Sequence, residues 1–293
     1  TYAERLGWPQ GTRAVIFHVD DVGMSHDSNL GAIRAWEEGV ASSMSVMMPC
    51  SWVPEFAAYV KDHPEVDVGV HLTLTAEWKN YRWGPVAGKP SVPGLVDAQG
   101  CLWPGVLEVA AHASAQEVET EMRAQLAKAL SMGIIPTHLD AHMGTCFHPL
   151  YLERYIKLGI EKDIPILLFG GHMQHIGQEV GARKAQLLQL AQQVWAAGLP
   201  IIDDLVTKPT QGKDYAQRKG ELIQLLRGLK PGITEIIVHC TAPTEVFSAI
   251  SGSGPAREAE LNLMIDRDIK TLIADEGIVI TTWRELKERR AAL

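Results

Sequence analysis

The sequence predicts an α/β fold: a single irregular (β/α) barrel with parallel strands and a long aromatic loop after the third strand. Three observations carry that expectation. Short apolar runs alternate with helical stretches eight times along 293 residues, with no long linker between them. Several runs end in Asp or His, at the strand-to-loop edge where parallel α/β folds gather catalytic groups. The hydrophobic fraction of 46% is ample for a core, yet no apolar run approaches a membrane span. One domain over residues 1–293 accommodates this, because barrels commonly exceed average domain length.

In order, the expected strands cover 13–20, 42–48, 66–74, 135–140, 164–169, 200–205, 234–240 and 277–282. The expected helices cover 28–39, 53–62, 115–132, 149–161, 181–197, 215–229, 257–275 and 283–292. Ser28 or Asn29 is placed to cap the first helix, and Pro54 suits the first turn of the second. Ser114 with Glu117 forms a capping-box pattern before Val118. Gly39, Gly133, Gly198 and Gly277 each follow a helix, where a left-handed residue commonly ends it. Residues 75–113 break the alternation, with no clear helix or strand but with Trp78, Tyr81, Trp83 and Trp103. A loop of that length usually forms a lid or binding loop. A second irregular stretch, 241–255, is rich in Gly, Ser and Pro.

Charge and cysteine usage narrow the partners. A net charge of −8 argues against nucleic acid or an anionic membrane. The four cysteines are far apart and show no C-x-x-C spacing, so they read as free thiols of a reducing compartment. The expected location is cytoplasmic, and a start at Thr1 leaves room for a removed signal peptide.

The candidate chemistry sits at the run ends. Asp20 and Asp21 follow Ala14-Val15-Ile16-Phe17; neighbours in a strand face opposite ways, so both reach one site only where the strand turns, near Gly23. Alone, the doublet reads more readily as a capping pair. His71, Thr73 and Thr75 share a face opposite Leu72 and Leu74. His138, Asp140 and His142 recur with period two, and three such desolvated groups are costly unless they bind one another or an ion. His239 ends the run Glu235-Ile236-Ile237-Val238. His148, His172 and His175 are read as loop surface. Two His and one Asp make a common three-ligand set for a divalent ion, with a second carboxylate as base and an imidazole as acid.

The motifs V-D-D-V-G (19–23), G-V-H-L-T-L-T (69–75), T-H-L-D-A-H (137–142) and I-V-H (237–239) together resemble the YdjC-like carbohydrate deacetylases of the chitooligosaccharide deacetylase type. The resemblance implies hydrolysis of the acetamide of an N-acetylated sugar and one divalent ion, Zn2+ first, with Mg2+ or another divalent ion as alternatives. By position it makes Asp21, His71 and His142 metal ligands and Asp20 the catalytic base. His239 corresponds to the catalytic acid of related deacetylases, and His138 and Asp140 to groups that orient the ligands. Two departures concern the substrate: Met143-Gly144-Thr145 follows His142 where further histidines are common, and the loop 77–83 is distinctive. Trp78 and Trp83 in that loop are candidate sugar contacts. The expected partner is a small soluble N-acetylated sugar, with no nucleic acid and no membrane, and homodimerisation is left open. Two rival readings are a glycoside hydrolase pairing Asp20 or Asp21 with Asp140, and a non-catalytic carbohydrate-binding barrel.

Overall fold

A computed structural model describes residues 1–293. Seven strands form one parallel sheet: β1 (Arg13–Val22), β2 (Ser43–Val46), β3 (Val68–Leu72), β4 (Leu139–Ala141), β5 (Asp204–Val206), β6 (Gly232–Val238) and β7 (Val279–Ile280). Their order is β4-β3-β2-β1-β6-β5, with β7 beside β1. The sheet curls into a half-barrel flanked by helices, and both its faces are buried, as expected for parallel strands. Along β1 every residue after Arg13 is buried, which is why the run reads as apolar rather than alternating.

The fifth expected strand, 164–169, is not one. It contributes only isolated bridges, Leu139 to Ile166 and Phe169 to Ile202, between the two edge strands. Pro165 has no N–H to donate, and only its carbonyl is used, accepting from Leu139 N. The expected helix 257–275 is two, Gly254–Met264 and Arg267–Asp275, because Asp266 caps the second through Asp268 N. The first long helix runs His26–Glu37 and is capped by Ser25 rather than Ser28 or Asn29. The Ser114–Glu117 capping box and Pro54 at a helix start are both present.

Two segments expected to be irregular carry helix. Val106–His112 lies within 75–113, and Glu245–Ile250 lies within 241–255. The aromatic segment after β3 also holds a 3-10 turn, Pro93–Leu95, and a bridge between Val96 and Leu102, and is otherwise loop, pinned at several points. Tyr81 donates to Met24 O (2.6 Å), Trp83 Nε1 to Thr75 O (2.9 Å), and Glu121 accepts from Val86 N and Ala87 N (2.8 Å each). One continuous hydrophobic core extends from Tyr2 to Leu286. No helix is long and apolar enough to cross a membrane.

Candidate active site

The site is assembled at the C-terminal ends of β1, β3, β4 and β6. On β1 the register against β2 shifts between Val19 and Val22, and Asp21 takes a left-handed backbone (φ 64°). A bulge re-aims side chains, and Asp tolerates positive φ better than most residues. Both carboxylates of the doublet therefore turn into the same site. Gly23 (φ 82°) completes the turn: a β-carbon there would stand 2.8 Å from Val53 Cγ2.

Asp21, His71 and His142 offer one ligand atom each within 4.8 Å of one another, all buried. Asp21 Oδ1 lies 3.1 Å from His142 Nδ1 and 3.5 Å from His71 Nε2, and it has no hydrogen-bond partner. A buried carboxylate oxygen left open between two imidazole nitrogens fits a divalent cation, and the Asp/His/His donor set suits zinc. The remaining atoms are oriented from outside. His71 Nδ1 pairs with Asp140 Oδ1 at 2.7 Å, following from the in-register pairing of His71 and Asp140 on β3 and β4. His142 Nε2 meets Glu77 at 3.0 Å, and Arg257 donates to Asp21 Oδ2 at 2.7 Å.

The electrostatics follow from these contacts. Burial alone would raise the Asp21 carboxyl, but Arg257 and His142 hold it well below the usual range. Burial would lower both imidazoles; Asp140 and Asp20 instead push His71 well up, and Asp21 with Glu77 pushes His142 up to about 9. The acidic groups that favour imidazolium here would equally favour a bound cation.

Asp20 stands beside the triad. Its Oδ2 is 3.7 Å from His71 Nε2 and 3.9 Å from His239 Nε2. His239 is partly open to solvent, its side chain 31% exposed, and its Nδ1 lies 3.6 Å from Glu260, which also accepts from its backbone N–H (2.6 Å). Burial would lower this imidazole, but Glu260 raises it. Asp20, Asp21, Glu77, His142, His239 and Arg257 open on one cavity of about 660 Å³, whose far wall is apolar, with Leu167, Phe169, Val180 and Leu205.

Other sequence candidates fall elsewhere. His138 touches no candidate ligand. Its ring stacks on Trp283 (5.4 Å), and its Nε2 is 3.9 Å from Asp140 Oδ2. His138 and Asp140 keep the period-two face, both beside His18, and His142 leaves it, because β4 ends at Ala141 and His142 begins a 3-10 turn in which Met143 is left-handed (φ 52°). Trp78 and Trp83 do not line the cavity; Trp83 is buried and packs edge-on to Trp78 at 5.4 Å, with its ring 6.4 Å from His142. His172 and His175 are partly buried rather than loop surface, and His175 Nδ1 pairs with Asp204 at 2.7 Å. Sequence reasoning missed His18, Glu77, Arg257 and Glu260. His18 had a signal, since it precedes Asp20 by two residues and so shares a strand face. Arg257 and Glu260 come from a distant helix and had none.

An α/β half-barrel that sets an Asp/His/His cluster beside a further Asp at a cavity has the side chains that a metal-assisted hydrolase would need. The sequence profile of the YdjC-like protein family matches residues 14–275, and the chain belongs to that family. Similar proteins include a "Carbohydrate deacetylase" of Geobacillus stearothermophilus, 34% identical over 93% of this chain and 98% of the relative. Another from Thermus thermophilus is 31% identical, with 97% of each chain covered. A "Chitooligosaccharide deacetylase" of Serratia marcescens is 31% identical over 94% of this chain and 99% of its own. Among solved structures, a proposed cellobiose-phosphate cleavage protein of Enterococcus faecalis shares the fold. Its TM-score is 0.79 at 23% identity, over 94% of this chain and 99% of that one.

Proposed function

We propose that this chain is a metal-dependent amide hydrolase that removes the acetyl group from an N-acetylated amino sugar or short chitooligosaccharide, releasing acetate. One observation carries the reading: the open Asp21 oxygen between His71 and His142, with Asp20 uncommitted toward the cavity. Full-length relatives named as carbohydrate deacetylases give it a substrate class.

Asp21, His71 and His142 would hold the ion. A divalent ion, Zn2+ in this reading, supplies Lewis acidity and lowers the pKa of water at the site. Asp20 Oδ2 accepts the proton of the attacking water as it adds to the acetamide carbonyl. His239, whose protonated form Glu260 favours, delivers a proton to the departing nitrogen as the C–N bond breaks, leaving acetate and a free amine. Arg257 and Glu77 hold Asp21 and His142 at fixed angles, so the donors are set before substrate arrives.

The glycoside-hydrolase rival requires Asp140 to face substrate. Asp140 is 2% exposed and paired with His71, with His18 beside it, so it does not. Elemental analysis combined with acetate release from a panel of N-acetylated sugars tests the proposal. Acetate release that stops on chelation and returns with a divalent ion is expected. Reducing-sugar release without acetate, or sugar binding without turnover at any metal loading, would sink it.

A further inference from the structure

One buried histidine has no part in the chemistry described above. His18 lies on β1, fully buried, two residues before Asp20. Its Nε2 is 2.9 Å from Asp140 Oδ2 and 3.2 Å from Asp20 Oδ1, and it shares a hydrogen bond of 3.1 Å with Ser45 Oγ. Those two carboxylate oxygens are buried and have no hydrogen-bond partner, so His18 is the polar contact they share. The opposite oxygens face the site: Asp140 Oδ1 holds His71 Nδ1, and Asp20 Oδ2 looks toward His71 and His239. Each carboxylate therefore meets His18 at its inner oxygen as an ion-pair contact and turns its other oxygen to the site.

The anchor itself is fixed by packing. The His18 ring meets the edge of His138 (centroids 5.0 Å apart, 76°), and His138 stacks on Trp283 (5.4 Å, 20°). A carboxylate's terminal torsion is broad, so its outer oxygen is aimed only if its inner oxygen is held. We propose that His18 is a positioning residue that clamps Asp20 and Asp140 together, locking the base and the orientation of the His71 ligand into one alignment. The proposal rests on the metal-hydrolase reading of the site, but its consequence for the ligand set is measurable without turnover.

The experiment titrates Zn2+ into metal-free wild type, His18→Phe, Asp140→Asn and the double variant, with melting temperatures alongside. His18→Phe should bind one ion with affinity lowered about tenfold or more, the usual effect of losing an outer-shell partner. The double variant should bind no more weakly than Asp140→Asn alone, because His18 acts on His71 through Asp140. In parallel, with Zn2+ saturating for every variant, His18→Phe should lower kcat with KM unchanged, and adding it to Asp20→Asn should slow acetate release less than it slows the wild type. If Phe does not fold, His18→Gln serves the same measurements. Unfolding of both variants would make His18 a packing residue and overturn the clamp. Wild-type Zn2+ affinity in the His18 variant, or independent effects in the double, would overturn it as well. Two ions in wild type, one of them lost with His18, would instead make His18 a ligand of a second ion with His138 and Asp140. Absence of acetate release from wild type would count against the deacetylase reading alone, since the metal titration still reads the clamp.

Discussion

Asp20 and Asp21 are neighbours in sequence with different surroundings. Asp21 is 1% exposed, bonded to Arg257 and flanked by two imidazoles, whereas Asp20 reaches the cavity with Oδ2. Asp21→Asn should lose metal and activity together, because a neutral amide is a poor ligand for a divalent ion. Asp20→Asn should keep its metal and lose about 10²–10⁴-fold in turnover, the usual worth of a positioned general base. Metal stoichiometry and acetate release on both variants check this; metal loss confined to Asp20→Asn would exchange the two roles. His71→Ala and His142→Ala should each sharply lower metal occupancy while the protein stays folded, and full retention in both would rule out the ligand set. The doublet and the histidines were legible because each ends an apolar run. His18 was hidden inside such a run, where a buried polar residue looks like part of the strand. Glu77 and Arg257 enter through a loop and a remote helix, so only the folded chain brings them to Asp21 and His142.

At the scale of elements, local chemistry predicted boundaries well where one residue decides them. The Ser114–Glu117 box and the break at Asp266 are side-chain caps, one legible in the sequence and one overlooked there. The expected strand 164–169 failed because apolar content alone does not distinguish a strand from a segment that pairs only at isolated points. The aromatic loop shows the same ambiguity. Its rings suggested sugar contacts, but a long segment without regular structure must satisfy its own backbone and build its own packing. Trp83 does this, buried at 6% exposure with Nε1 on Thr75 O and rings of Trp78 and Tyr81 against it. Trp83→Ala should therefore cost about 3–5 kcal/mol of stability, as for other buried large-to-Ala changes. Denaturant unfolding of the variant, with KM measured in parallel, decides the matter. An unchanged unfolding midpoint with a tenfold higher KM would return Trp83 to the role of a substrate contact.

For the whole molecule, alternation of strand and helix was enough to predict a parallel α/β fold, but not the charge that fold encloses. His18, His71, Asp140 and Glu235 are buried without lining the cavity, and His142, also buried, lines it. Such groups are costly to desolvate and are offset only by one another, so stability should depend on pH through them. Glu235 offers the cleanest test, because it lies below the site and its carboxylate accepts from Trp283 Nε1 at 2.8 Å. Burial raises its pKa from 4.5 to about 8, with His18 opposing and Asp140 and Asp20 adding to the rise. Between those two values the folded chain holds a proton that the unfolded chain has released. Its contribution to stability is therefore full below pH 4.5 and is lost as pH rises through about 8. Glu235→Gln mimics the protonated form and keeps an acceptor for Trp283, so it removes this loss. Urea unfolding of both proteins at pH 5, 7 and 9, in the same metal state, should show the variant gaining on wild type as pH rises. The gain should reach on the order of a few kcal/mol by pH 9, since each tenfold difference in proton affinity between the folded and unfolded chains is worth about 1.4 kcal/mol. The other titrating groups are common to both proteins apart from His18, which the Glu235 charge itself raises, so the difference reads Glu235 together with His18. A difference that stays flat across the three pH values would mean that Glu235 is ionised in the folded state and stabilised by His18 instead.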